Sequence, residues 1–290
     1  ELGLLKKFRR NERAVVMFLS FFAALTVITT VATVVILFEE ASGFFRSVSF
    51  LEFFFTSRWT PLIEPRHFGV LPLVYGTLFV AVGACLVSVP LGVMIALYLS
   101  HFASQRFRSF AKPVLEILAG IPSVVFFFFS LTGITPLLQM IYPDTHVFNA
   151  ASAAIVVGIM TLPLVASMSD DAFQAVPRSV LDAGYALGAT HFEVLTKILL
   201  PTAASGIFAS FILAFSRAIG ETMAVTLAAG ATPRMTLNPF ESIQTMTAYI
   251  VQVSLGDTPH GTIEYQSIFV VGLLLFFITL VMNVASHYVL

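Results

Sequence analysis

The sequence predicts an all-α, polytopic membrane protein with six transmembrane helices and both termini in the cytoplasm. Hydrophobic residues make up 58% of the chain and charged residues only 11%. Soluble domains carry about 25% charged residues, so a chain this poor in charge cannot cover its surface against water. Uncharged stretches of 19 to 39 residues also recur along the chain. Such stretches are the length of a membrane-spanning helix, which needs about 20 predominantly apolar residues.

These uncharged stretches place the six helices along the chain. The second contains Pro72 and Pro90, which predict a tilt or a kink. The fifth differs from the others because it carries two charged residues, Arg217 and Glu221. The predicted helices cover about 14–38, 71–100, 113–134, 150–169, 201–229 and 266–289.

Lysine and arginine residues near the helix ends predict the orientation, because they favour the cytoplasmic side. If the N-terminus is inside, ten of these residues are cytoplasmic and four are outside. The cytoplasmic set is Lys6, Lys7, Arg9, Arg10, Arg13, Arg106, Arg108, Lys112, Arg178 and Lys197. The outside set is Arg46, Arg58, Arg66 and Arg234.

Two long segments are predicted to lie outside the membrane. Residues 39–70 hold a cluster of aromatic side chains between Phe44 and Trp59, which we expect at the level of the lipid headgroups. Residues 230–265 are rich in proline and glycine, which predicts a loop with one short helix near 241–253.

The longest cytoplasmic loop, residues 170–200, contains the signals of two short helices. Pro177 suits the first turn of a helix, and Gly188 is a typical stop signal. Thr190 and Glu193 have the spacing of a capping box, which opens a second helix. A helix pair of this kind is either a docking element or an ordinary connection between spans.

This loop resembles the EAA coupling loop of ABC importer permeases. Their pattern is Glu-Ala-Ala, three residues, Gly, nine residues, Ile, one residue and Leu-Pro, and the present chain keeps the spacing with Asp and Gly at two opening positions. The resemblance implies docking to a separate cytoplasmic ATPase subunit, which would bind ATP and Mg²⁺. The chain itself has no GxxxxGK[ST] phosphate loop and is expected to bind no cofactor. The implied docking residues are Asp182, Ala183, Gly184, Gly188, Ile198, Leu200 and Pro201.

The two charges of the fifth helix lie four residues apart, so they would share one face of a continuous helix. A charge at the bilayer centre costs at least ~2.5–3.5 kcal/mol, and such residues face the bundle interior or an aqueous path. A structural ion pair, an anion path and a proton relay are the open interpretations. An anion path is favoured because the Arg217 guanidinium offers a fork of donors that matches oxyanions and keeps its proton. Ser216 and Thr222 are candidate hydroxyl donors beside Arg217 and Glu221.

The segment SRAIGETMAV, residues 216–225, resembles the signature of phosphate-importer permeases of the PstC type. The segment FFFTSRWTP, residues 53–61, is similar to an aromatic–Trp–x–Pro segment of the same type. The resemblance covers essentially the whole chain and implies a type I ABC importer permease fold, with Arg217 and Glu221 on the transport path. The implied division is a basic N-terminus and first spanning helix at 1–38, an extracytoplasmic aromatic segment at 39–70, and a permease core at 71–290 with five spanning helices and the coupling loop 170–200.

The resemblance also implies partners. They are a homologous permease of the PstA type as a heterodimer partner, two cytoplasmic ATPase subunits and an extracytoplasmic phosphate-binding protein. The assembly would lie among the lipids of the plasma or inner membrane of a prokaryote, with no role for nucleic acid.

Other functions compete with phosphate import. An intramembrane enzyme needs a nucleophile and a base, or metal ligands, at one depth. The six histidines lie mostly in predicted loops or at helix ends and form no His-x-x-x-His pair, so neither a catalytic site nor a metal site is expected. An anion channel would not need the docking loop. A permease for sulfate or molybdate is the nearest alternative, because the chemistry of an arginine indicates only an anion.

Overall fold

The computed structural model describes residues 2–289, with the side chains of residues 15–288. These residues form fourteen α-helices and two short π-helical segments, Ser130–Ile134 and Val194–Leu199. The basic side chains predicted for the N-terminus, from Lys6 to Arg13, lie outside the described side chains. The α-helices are α1 Leu2–Phe44, α2 Phe50–Phe55, α3 Leu71–His101, α4 Gln105–Gly120, α5 Ser123–Phe129, α6 Thr135–Ile141, α7 Ala150–Gln174, α8 Arg178–Ala186, α9 His191–Glu193, α10 Leu200–Thr202, α11 Ala204–Ile219, α12 Met223–Ala228, α13 Met246–Ser254 and α14 Ile263–Val289.

The predicted all-α membrane fold is confirmed. Within the described residues, five helices are long and apolar enough to cross a membrane. A sixth span results if His191–Thr202 and Ala204–Ile219, which meet at an angle of 64°, are counted as one bent span. The five spans are Val15–Phe44, Leu71–His101, Ser123–Ile141, Ala150–Gln174 and Ile263–Tyr288.

The predicted third helix, 113–134, is wrong in its bounds. The chain forms a separate amphipathic helix, α4, which Ser104 caps by accepting a hydrogen bond from the backbone N–H of Phe107. This helix ends before Pro122, because proline disfavours helical backbone at the preceding residue, and Ile121 has ψ 129°. The membrane span then runs from Ser123 to Ile141 through the first π-helical segment.

Small residues bring the central helices together. A Cβ added to Gly83 of α3 would lie 2.8 Å from the Cβ of Ala154 of α7, and one on Gly206 of α11 would lie 2.5 Å from the Cβ of Ala172. Small residues at helix interfaces allow backbones in a membrane to approach closely. This packing fixes α7 between α3 and α11, and the candidate site lies along α7.

The outside segment is more buried than predicted. Phe44, Phe53 and Trp59 are almost fully buried, and Trp59 packs edge-on against Tyr249 of α13. These rings form a hydrophobic core with the outer ends of α1, α3 and α14, so protein and not lipid surrounds them, and their position at the headgroup level stays a prediction. The predicted short helix near 241–253 is confirmed as α13.

Candidate functional site

A cavity of about 310 Å³ lies between α3, α4, α7 and α11. Its wall follows α7 from Met160 to Asp170, eleven residues that extend over ~15 Å of helix. The wall is largely apolar but carries five polar or charged residues. These are Lys112, Glu116, Ser167, Asp170 and Arg217.

Arg217 lies at the end of this cavity that is deeper in the membrane. The helices α7 and α11 are antiparallel, with the hydroxyls of Ser169 and Ser210 only 3.4 Å apart. Continuing this register for two turns places Arg217 beside Pro163, and both residues line the cavity. The Arg217 side chain is exposed and forms no ion pair within the described part of the chain.

The expectation of one continuous helix over 201–229 is wrong. The helix α11 ends at Ile219, Gly220 lies in the cap, and α12 begins only at Met223. Because of this break, Arg217 and Glu221 do not share a helix face. Glu221 instead caps α12, with its Oε1 3.3 Å from the backbone nitrogen of Ala224, which donates to it.

The two hydroxyl candidates beside these charges also lie away from the cavity. The Ser216 hydroxyl donates to Oδ1 of Asn283 on α14 at 3.0 Å, which ties α11 to the last span. The Thr222 hydroxyl donates to the Gly220 carbonyl at 3.2 Å, within the break itself. Of the four residues predicted for the substrate path, Arg217 alone contributes to the cavity wall.

Three further charged residues, which no sequence motif connects, meet near the opposite end of the cavity. Asp170 of α7 is almost fully buried and binds two cations of α4. One Arg108 nitrogen lies 3.1 and 3.0 Å from the two Asp170 oxygens, and the Lys112 ammonium lies 2.6 Å from Oδ2. Gln174 donates a further hydrogen bond to Oδ2 at 2.8 Å.

The partners of Asp170 lie 62 and 58 residues earlier in the sequence, on a helix whose start the charge pattern misplaced. The four-residue spacing of Arg108 and Lys112 indicates that both cations lie on one face of a helix. Nothing in that pattern identified Asp170 as the partner of this face.

Replacing Asp170 with asparagine is expected to destabilise the fold. The change leaves Arg108 and Lys112 without their buried counter-charge, and breaking a buried pair in this way costs 3–5 kcal/mol. Since Lys112 is 42% exposed and is partly solvated, we expect a loss of about 2–3 kcal/mol. Thermal unfolding of the purified protein, followed by circular dichroism, measures the loss.

Asp171→Asn is the matched control for this variant. Asp171 is the next residue and is exposed, and its side chain makes no polar contact within the described residues. We expect the thermal unfolding midpoint of this variant to match that of the parent protein. Equal midpoints for the two variants would contradict a stabilising role of the Asp170 ion pairs.

Residues 175–203 form the helical projection predicted from the cytoplasmic loop. The helix α8 ends at Ala186, and Gly188, two residues later, has a φ of +83°, a left-handed conformation that glycine adopts without strain. The predicted capping box is confirmed, with Thr190 and Glu193 bonded reciprocally at the start of α9. We call this helix pair the coupling knob.

The residues of the coupling pattern divide between the surface and the interior of the knob. Asp182 and Ala183 are exposed on α8, whereas Gly184 is buried, and a Cβ there would lie 2.4 Å from Cδ1 of Ile198. Gly184 and Ile198 therefore hold the two helices together. Leu200 and Pro201 form the short helix α10, at the bend that leads into α11.

The tip of the knob exposes large apolar side chains. Leu187 is 90% exposed and Phe192 is 72% exposed, on either side of Gly188. The Tyr185 hydroxyl and Nδ1 of His191 lie 2.7 Å apart and fix the tip between the two helices. Exposed apolar groups of this size on a polar projection are typical of a protein-binding surface.

A bundle of membrane-spanning helices with a charged cavity and a projecting helix pair is the arrangement expected of a transport permease subunit. The family model of the binding-protein-dependent transport system inner membrane component matches residues 88–289. The chain belongs to this family, and within it to the PstC type. It is therefore a permease subunit of an ABC importer, a multi-pass membrane protein of a prokaryote and not an enzyme.

Curated relatives support this placement. The chain is 32% identical over 228 residues to the probable ABC transporter permease protein YqgH of Bacillus subtilis, covering 79% of this chain and 74% of that protein. It is 31% identical over 283 residues to the phosphate transport system permease protein PstC 1 of Mycobacterium tuberculosis, covering 86% of this chain and 83% of that protein. It is 30% identical over 257 residues to the PstC of Mesorhizobium japonicum, covering 82% and 77%.

Solved structures share the fold at lower sequence identity. A chain of a bacterial alginate ABC transporter in complex with its periplasmic protein aligns with a TM-score of 0.62 at 14% identity, covering 92% of this chain and 93% of that chain. A chain of the inward-facing MetNI methionine ABC transporter aligns with a TM-score of 0.54 at 17% identity, covering 77% and 94%. An importer permease of this family works with a partner permease, ATPase subunits and a periplasmic binding protein.

Proposed function

We propose that this chain is the permease subunit of an ATP-driven importer of inorganic phosphate and forms the translocation path with a homologous permease. The observation that carries the proposal is the Arg217 guanidinium, which is exposed at a cavity within the membrane and forms no ion pair among the described residues. A structural ion pair would hide this charge. An unpaired charge at this depth costs several kcal/mol unless water or a solute contacts it.

Arginine suits this role chemically. Its planar guanidinium donates two parallel hydrogen bonds to one oxyanion, and it stays charged in any environment of the path. Glu221 lies across the helix break and does not neutralise Arg217 in this conformation. A movement of the break that brings the carboxylate to the guanidinium would weaken anion binding and aid release.

The proposed partners follow the family. The homologous permease would be of the PstA type, and an extracytoplasmic phosphate-binding protein would dock on the outside segments. Two cytoplasmic ATPase subunits would bind ATP and Mg²⁺ and receive the coupling knob through its exposed Asp182, Ala183 and Leu187. The assembly would lie in the plasma membrane.

The proposed mechanism is alternating access. Closure of the ATPase pair would move the coupling knob, and the bend of 64° between α10 and α11 would carry that movement to the helix that bears Arg217. The knob and this helix are consecutive in the chain, so a rigid knob transmits its rotation directly. A channel needs no such connection to an ATPase.

ATP-dependent uptake of radiolabelled phosphate in liposomes that hold the complete importer tests the proposal. We expect uptake that requires ATP and the binding protein, and that sulfate or molybdate in excess does not inhibit. Uptake without ATP would indicate a channel. If sulfate or molybdate inhibits phosphate uptake, the path belongs to the inhibiting oxyanion.

A further inference from the structure

The cavity that begins at Arg217 also carries a second positive charge, Lys112. This residue belongs to α4, the amphipathic helix that precedes the third span. The Lys112 ammonium binds Asp170, which lies about two turns along α7 from Pro163, the neighbour of Arg217. Those seven residues correspond to ~10 Å along the helix axis.

The charge count around Asp170 does not balance. Arg108 contacts both carboxylate oxygens and Gln174 donates a further bond, so Asp170 is neutralised and hydrogen-bonded without Lys112. Two cations on one carboxylate leave a net positive charge. Lys112 is the cation that lines the cavity and is 42% exposed, whereas Arg108 is 22% exposed and does not line it.

The other charges along the cavity do not cancel this excess. Glu116 is exposed on the same wall and is the second carboxylate there. The lining itself holds Lys112 and Arg217 against Glu116 and Asp170, and Arg108, which binds Asp170 from outside the lining, brings the local sum to one positive charge. A cavity with walls of low dielectric strengthens the attraction of such a charge for an anion.

We propose that Lys112 is a second oxyanion-binding residue, which receives phosphate from Arg217 on the cytoplasmic side of the path. The inference rests on the proposed function and extends it. When the anion arrives, the Lys112 ammonium exchanges Asp170 for a phosphate oxygen, and Arg108 keeps Asp170 neutral. When the anion leaves, Asp170 rebinds Lys112, and this competition weakens the site enough to release phosphate.

A purely structural role for Lys112 would instead hold α4 against α7. The two roles can be told apart by one measurement. Only the binding role makes the affinity of the cavity for an anion depend on Lys112. Ser167 is exposed on the cavity wall three residues before Asp170 and can report occupancy. Cys85, the one cysteine in the sequence, is buried in α3 and is replaced by alanine for the measurement.

The experiment measures how inorganic phosphate slows the reaction of N-ethylmaleimide with Ser167→Cys in the purified, assembled importer without nucleotide. We expect protection, and we expect Lys112→Gln to raise the half-protecting phosphate concentration about tenfold, as the loss of one charged hydrogen bond predicts. Lys112→Arg should restore protection. Arg106→Gln removes an exposed charge of the same helix that does not line the cavity, and should change nothing.

Phosphate uptake by the same preparation separates the two hypotheses. If phosphate is taken up but gives no protection, or protects equally in Lys112→Gln, the inference is overturned and the proposed function stands. If Lys112→Gln lowers the thermal midpoint and leaves protection unchanged, Lys112 is structural and the inference is again overturned. A parent importer that takes up no phosphate overturns the proposed function and, with it, the inference.

Discussion

Replacing Arg217 with alanine is expected to abolish phosphate uptake while the importer still assembles. The variant loses the intramembrane guanidinium at the cavity, and the loss of two charged hydrogen bonds lowers transport about a hundredfold or more. Folding should persist, because Arg217 has no ion pair to lose within the described residues. Uptake into liposomes measures transport, and co-purification of the ATPase subunits measures assembly.

Two further variants make this result specific. Arg217→Lys keeps the charge but removes the fork of donors, so we expect partial uptake, between those of the parent and Arg217→Ala. Asp171→Asn changes an exposed residue that does not line the cavity and should leave uptake unchanged. Normal uptake by Arg217→Ala would refute the role of this residue in the path.

Gly188→Trp is expected to detach the ATPase subunits. Gly188 lies at the exposed tip of the coupling knob, where a Cβ would meet nothing within 4 Å, so the indole would project into the docking surface. A loss of about 1.4 kcal/mol of docking free energy lowers the association constant tenfold. Co-purification of the ATPase with the tagged permease measures docking, and ATP-dependent uptake should fall with it.

Gly261→Trp is the matched control for this variant. Gly261 has a φ of +82° and nothing within 4 Å of an added Cβ, so tryptophan carries the same backbone strain there, about 1–2 kcal/mol. It lies in the segment predicted to be outside the membrane, between α13 and α14. An equal loss of the ATPase in both variants would show that backbone strain, and not the docking surface, causes the effect.

The helical signals of the coupling knob were local, and the sequence predicted them well. A capping box needs only the spacing of Thr190 and Glu193, and the turn needs only a glycine at Gly188, so the structure confirms both. The fold class was equally predictable from the sequence, since the length and composition of an apolar stretch decide whether it spans a membrane. The roles of the path and docking residues stay predictions.

The errors arose where the sequence pattern allowed two structures. An uncharged stretch shows that a membrane span is present but not where the helix bends, so the break at Gly220 and the separate helix α4 were missed. Aromatic rings are common both at the lipid headgroups and in cores. Only packing against α13 decided that Trp59 is buried.

The sequence by itself determined the class of this protein, because the exclusion of charge from lipid acts on each stretch of chain separately. It also identified Arg217 as an unusual residue, since a charge at bilayer depth is costly unless it is paired or solvated. Only the tertiary structure decided what that charge faces. At the break, the Thr247 hydroxyl donates to the Glu221 carbonyl, and Asp170 pairs with α4; both are contacts between distant segments. The packing of α4, α7 and α11 places Arg217 and Lys112 on one cavity.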